Sequence, residues 1–234
     1  MSGDSNAPVT GKRGYHHGDL RSQLVVAARR LVAESGTDDF RVARAARLAG
    51  VSPSAPYRHF ADREALLDAV AAEGFARLAA AMRVASDIHG PGTLAAVVAI
   101  GRTYVDFARA EPRVFRLMFG PDGRSGPAVP DASGTPPASA DGTAGSEADA
   151  SAPDEPAPDA SEPDPYAVLV RHVALHLDKG PAATEVRRSA LALWMMVHGM
   201  SSLLVDGGDA IGLGEGEVDS MLERAGRSLL EAFG

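Results

Sequence analysis

Apolar residues in this chain return every three or four positions and almost nowhere every second one. The stretch from residue 94 shows the pattern most fully. Leu94, Val97, Val98, Gly101, Tyr104, Val105 and Ala108 fall on one side of a helix, whereas a half-buried strand would alternate apolar with polar side chains. Ala and Leu, which lose little on entering a helix, far outnumber Ile, Tyr and Thr. An all-α fold is implied, and 234 residues suffice for one large domain or two modest ones with a sizeable core.

Caps and breakers divide the pattern into nine expected helices. Asp19 caps a first helix to Ser35, with Leu20, Leu24, Ala27, Ala28 and Leu31 on one face and Gly36 as its stop. A short helix follows over Val42–Ala49, ended by Gly50. Ser52 caps a third, with Pro53 at its first position, where a missing N–H costs nothing. Asp62 caps a long fourth helix through Leu66, Val70, Phe75 and Met82, and Pro91 opens the fifth. Glu111-Pro112 precedes a short sixth holding Val114, Phe115, Leu117 and Met118. Tyr166–Leu177 and Glu185–Val205 are apolar nearly all round, so both should be buried on more than one side. The last helix, Glu217–Phe233, has the stripe Val218, Leu222, Ala225, Leu229 and Phe233.

Between Gly120 and Asp164 the pattern stops. That stretch has nine of the sixteen prolines, ten acids, one Arg and a single large aliphatic residue, Val129. It cannot bury enough apolar surface to offset its chain entropy, and it is expected to be a disordered acidic loop, 120–164. It also explains the net charge of −8, because residues 11–60 carry nine Lys or Arg against four acids, a balance of +5. No cysteine is present, which excludes disulfides, thiolate metal sites and a cysteine nucleophile. Residues 1–14 are polar without the apolar core of a signal peptide, and no later stretch gives eighteen apolar residues free of charge, so a cytoplasmic protein with no membrane partner is expected.

The run Arg41–Phe60, RVARAARLAGVSPSAPYRHF, has helix-turn-helix grammar: a short helix, a turn at Gly50 and a second helix opened by Ser-Pro. Ser52, Pro53, Ser54 and Ala55 lie where groove-reading residues project, while Tyr57, Arg58 and His59 suit phosphate contacts, as does Arg63 beside a helix N-terminus. The strings YHHGDLR at 15–21 and GVSPSAPYRHFADREALL at 50–67 resemble the N-terminal domain of the TetR family. Trp194, His198 and Gly199 resemble the Trp-His-Gly signature of one TetR C-terminal type.

The resemblance implies a three-helix DNA-binding domain over 15–62, preceded by an arm over 1–14. It further implies a ligand-binding and dimerisation domain over 63–234, interrupted by the acidic loop. A homodimeric repressor is implied, released from a palindromic double-stranded operator by a small-molecule effector, with no catalysis and no cofactor. Arg41 stands where the family usually has Ser or Thr; either Asp38 or Asp39 is left as the cap or the helix has none, and Arg41 reaches phosphate by charge. Tyr104, Phe115, Met118, His172, Trp194 and His198 are the expected effector contacts.

Blander readings accompany these. Tyr57 packs on the first helix instead of facing DNA; Lys12 and Arg13 form either a minor-groove arm or a solvated tail. His172 and His176, four apart, have the spacing of two metal ligands but no third partner except Asp178, so no metal is assigned. Ser201 lacks the strand and turn of a hydrolase elbow. Gly199 in mid-helix calls for close approach of another helix, in the core or across a dimer. The rival functions are an all-α enzyme or carrier, which would need a visible cofactor or nucleophile site, and an architectural DNA protein without palindrome preference.

Overall fold

The computed structural model describes residues 17–120, 164–207 and 212–233, with side chains placed from residue 20 to residue 232 within them. The N-terminal arm, with Lys12 and Arg13, and the acidic loop between Gly120 and Asp164 lie outside the described residues. Those residues form eight α-helices and one 3-10 turn, with no strand among them. The helices are α1 (His17–Ser35), α2 (Val42–Leu48), α3 (Arg63–Asp87), α4 (Leu94–Ala110), α5 (Pro112–Phe119), α6 (Pro165–Leu177), α7 (Thr184–Gly207) and α8 (Glu215–Phe233).

Several boundaries follow the expected chemistry. Gly36 ends α1 at φ +78 and returns its N–H to the carbonyl of Val32 at 2.8 Å. Asp62 caps α3 by accepting from the N–H of Ala65 at 2.8 Å. Four expectations are corrected. Helix α1 starts at His17, two residues before Asp19. Helix α4 starts at Leu94, not at Pro91, because Gly92 takes φ +70, which a helix does not admit; the Thr93 hydroxyl caps it by accepting from Ala96 at 3.0 Å.

Neither Asp38 nor Asp39 caps α2. Its N-cap is Arg41, which has no side-chain cap and instead donates to the carbonyls of Asp38 and Phe40 at 2.9 and 3.0 Å. The third helix is not an α-helix capped by Ser52 but a single 3-10 turn over Ala55–Arg58. Pro56 explains this: in an α-helix opened at Pro53 it would have to supply the N–H for the first hydrogen bond, and it disfavours helical geometry at Ala55.

One continuous core runs from Leu24 and Phe40 at the N-terminal end, along α3, to Trp194, Leu222 and Leu230. Helix α3 packs against α1 at one end and α4, α5 and α6 along its length, so it belongs to both head and body. Gly74 in mid-α3 lets the Met118 side chain of α5 pack closely: a Cβ there would stand 2.6 Å from its Sδ, and Met118 would have to shift. Helix α4 is the central post, touching α3, α5, α6, α7 and α8. Of the two helices expected to be buried on more than one side, α7 is covered by the described residues on one side. Val186, Ala190, Leu193, Trp194 and Val197 face the core, but Met195 and Leu203 are 60% and 64% exposed, although α7 is by length and composition apolar enough to cross a membrane. In α8 the buried line is Val218, Leu222, Gly226 and Leu230; Ala225 and Leu229 are only half-buried and Met221 is exposed.

Candidate nucleic-acid interface and effector site

The turn and 3-10 segment after α2 present their polar groups outward. Ser52, Pro53, Ser54, Tyr57 and Arg58 are exposed, Ala55 and His59 half-buried, and Pro56 and Phe60 buried beneath them. The anchoring is local: Phe60 is covered by the Arg21 guanidinium of α1, 5.2 Å from its ring centroid. Tyr57 is 58% exposed, so more of it is open to solvent than is packed against the head. Arg44 and Arg47 of α2 are exposed as well, giving the same end a basic rim that the motif alone did not single out.

Two expected DNA contacts are placed otherwise. Arg41 turns back on the carbonyls that precede α2. Arg63 is half-buried, pairs with Glu64, donates to the Thr37 carbonyl at 2.5 Å and lies over the Phe40 ring. It clamps the α1–α2 turn to the start of α3.

In the body, four of the six expected effector contacts meet. The Tyr104 ring lies 4.9 Å from Trp194 and 5.8 Å from Phe115, and its hydroxyl meets His198 Nδ1 at 2.8 Å. Phe119, not singled out by sequence, completes the cluster 5.1 Å from His198. From His198, Nε2 faces Ser202 Oγ at 3.5 Å. Burial pushes the His198 imidazole below its ordinary value and the Tyr104 phenol far above its own, so both are neutral at pH 7. The space beside this cluster is a void of about 20 Å³ lined by Ile100, Tyr104, Trp194, Leu222 and neighbouring apolar groups, the size of one water and too apolar to hold it.

The other two candidates lie elsewhere. Met118 is buried against Gly74. His172 accepts from the Gly92 N–H at 3.4 Å, and His176 meets the Gly92 carbonyl at 2.8 Å, so this pair grips the turn before α4. Among the described residues no three His, Asp or Glu side chains gather as metal ligands would.

Head and body are also joined by charge. Arg29 of α1 reaches Glu111 at 3.2 Å and Glu73 of α3 at 3.5 Å; Arg77 of α3 pairs with the same two glutamates. The Arg77 hydrogen bond holds Glu111 below the usual carboxylate range, whereas burial pushes Glu73 above it. The Glu73–Arg77 spacing on one helix was a readable signal; Arg29 and Glu111, 82 residues apart, gave none.

Comparison with known proteins agrees with this geometry. Residues 24–70 match the family described as bacterial regulatory proteins, tetR family, and residues 97–229 match tetracyclin repressor-like, C-terminal domain. Among solved structures, a protein of unknown function from Rhodococcus sp. RHA1 is 28% identical, with TM-score 0.63, covering 94% of this chain and 98% of that one. A tetR-family transcriptional regulator from Streptomyces coelicolor has the same fold at 18% identity and TM-score 0.63, covering 93% and 83%. No curated protein sequence matches the chain. With more than half its length matched by the C-terminal domain, and an outward-facing helix-turn-helix at its head, the chain belongs to the TetR family of DNA-binding transcriptional regulators.

Proposed function

We propose that this regulator is a homodimeric repressor whose two heads engage successive major-groove faces of a palindromic operator, and that a small molecule bound in the body releases it. The observation that carries the DNA-reading assignment is the exposed set Ser52, Pro53, Ser54, Tyr57 and Arg58 held over buried Pro56 and Phe60. Ser54 and Ala55 lead into the groove; Tyr57, Arg58 and His59 follow along the backbone. Arg63 acts by clamping the turn, and Arg41 by ordering it. Alanine at Tyr57 or Arg58 should weaken binding to all duplexes by roughly tenfold, whereas changes at Ser54 should alter which duplex is preferred. Gel-shift titrations against a panel of duplexes check this; unchanged affinity in the Tyr57, Arg58 double variant would remove the proposed orientation.

The dimer is supported by a strip on α7. Met195, Gly199 and Leu203 are four apart on one face; the two large residues are exposed, and among the described residues nothing from another element approaches the position of a Gly199 Cβ within 4 Å. Met221, Ala225 and Leu229 give α8 a second apolar line beside its buried one. Covering α7 and α8 by the same helices of a second copy would bury both lines in an isologous four-helix contact. Substituting Met195 and Leu203 together by Glu should yield a folded monomer with much weaker operator binding, read by sedimentation and gel shift. The effector reading rests on the cluster of Tyr104, Phe115, Phe119, Trp194 and His198, aromatic rings around a neutral polar handle that are packed together in this structure and would part to admit a ligand.

A further inference from the structure

We infer that the seam between head and body is a binding site for a small aromatic anion, and that its occupant withdraws the arginine tying α5 to α1. This deepens the ligand-responsive reading and rests on it. The void beside Tyr104 admits nothing larger than a water, but a groove of about 570 Å³ opens where α5, the end of α7 and the α1–α2 turn converge. That volume is in the range of small-molecule sites.

The walls specify the chemistry. Half-buried Phe119 of α5 and Val205 of α7 supply the apolar surface, with Phe115 buried behind it, and Arg113 and Arg116 of α5 flank it; Ser202 and Asp206 of α7 line the groove as well. Arg113 donates to the carbonyls of Ala33, at 3.1 Å, and Glu34 at the end of α1, which are neutral acceptors. Arg116 donates to Asp206 at 3.0 Å and to the Val205 carbonyl at 2.9 Å, with its side chain half exposed. A carboxylate or sulfonate offers a guanidinium two charge-assisted bonds, better than two neutral carbonyls, and an exposed ion pair exchanges partners at little cost.

The acids at the rim are Glu34, Asp38 and Asp206. Glu34 is shared by Arg30 and Arg44 at 3.4 and 3.9 Å, and Asp206 already lies on Arg116. Ser202 gives the inner end a hydroxyl, whose contact with His198 is long and continues to Tyr104, so the groove communicates with the aromatic cluster. Drawing Arg113 onto an anion removes its two bonds to the last turn of α1, while the Glu111–Arg29 pair and the packing of α1 on α3 still hold the head.

The full chain can be titrated with 1-anilinonaphthalene-8-sulfonate and with its uncharged counterpart N-phenyl-1-naphthylamine, using energy transfer from Trp194, the only tryptophan, whose ring lies 6.2 Å from Phe119. One sulfonate per chain is expected. Arg116→Gln should weaken it by about tenfold, the size of a lost bond to a charged group, and leave the neutral dye unchanged. Ser202→Val, which keeps both arginines, should weaken the sulfonate too. Saturating sulfonate should speed amide exchange at residues 31–35. Equal sulfonate affinity in wild type and both variants, a neutral dye that binds as tightly as the sulfonate, or unchanged exchange at the end of α1 would each overturn the proposal. No DNA is present in these measurements, so a failure of the chain to bind DNA bears on the regulator reading alone.

Discussion

On α6, His172 and His176 sit one turn apart, and both reach Gly92 in the turn before α4. A Cβ at Gly92 would stand 2.7 Å from that of Leu175, so the turn is pressed against α6 and its N–H needs an acceptor there. His172 Nδ1 can accept only when it carries no proton. Burial first, then the neighbouring Arg171, push the His172 value below 6.5, and Asp87 opposes them. The unfolded chain therefore takes up a proton near pH 6.5 that the native state refuses. Stability is full above the unfolded value, falls as pH drops below it, and levels off only below the folded value. His198, also lowered by burial, adds with the same sign. Thermal melts should show a falling midpoint between about pH 7 and pH 5, with a shallower slope in His172→Gln; identical slopes would contradict this role. The spacing of the two histidines was legible in the sequence. Their partner was not, because it is a backbone group 80 residues away.

At the scale of elements, α5 does more than its eight residues suggest. One side carries Phe115 and Phe119 into the aromatic cluster, and its N-terminal corner holds Glu111 against Arg29 and Arg77. Half-buried charges of this kind contribute little net stability when complete and cost more when one partner is lost. Glu111→Gln should therefore destabilise the fold by about 2 kcal/mol, and the double variant with Arg29→Gln should lose less than the sum of the singles by about 1 kcal/mol. Urea melts of the four proteins measure it; additive losses would show that α1 is not held through this carboxylate. The existence of every helix was legible, because the apolar period is strong. What escaped was set by single residues: Pro56, which shortens the third helix to one 3-10 turn, and Gly92, which delays α4. In α8 the buried line passes through Gly226, where a Cβ would lie 3.6 Å from Leu94 of α4, so the core-facing stripe is rotated from the one that larger side chains suggested. The seam groove had no sequence signal, since its walls come from three separated parts of the chain.

Across the whole molecule, charge is sorted along the chain: +5 over residues 11–60 and nine more acids than bases over residues 120–164. A tethered polyanion should compete with nonspecific DNA for the basic head more than with an operator, where base contacts add a separate term. Deleting residues 130–159 should leave folding and dimerisation unchanged and strengthen binding to random duplex at low salt. The gain should fade once the Debye length shortens to about 8 Å near physiological ionic strength. Equal low-salt affinity of the two proteins would make the segment a bystander. The central claim, sequence-selective DNA binding by a two-fold dimer, is tested most directly by titrating the intact chain with duplex from upstream of its own coding region against a scrambled duplex over a range of salt. Two chains per site are expected, with a preference of at least about 10³-fold near physiological salt and the scrambled duplex losing affinity at least as steeply as salt rises. Equal affinity for both duplexes at every salt concentration, or binding by single chains, would contradict it.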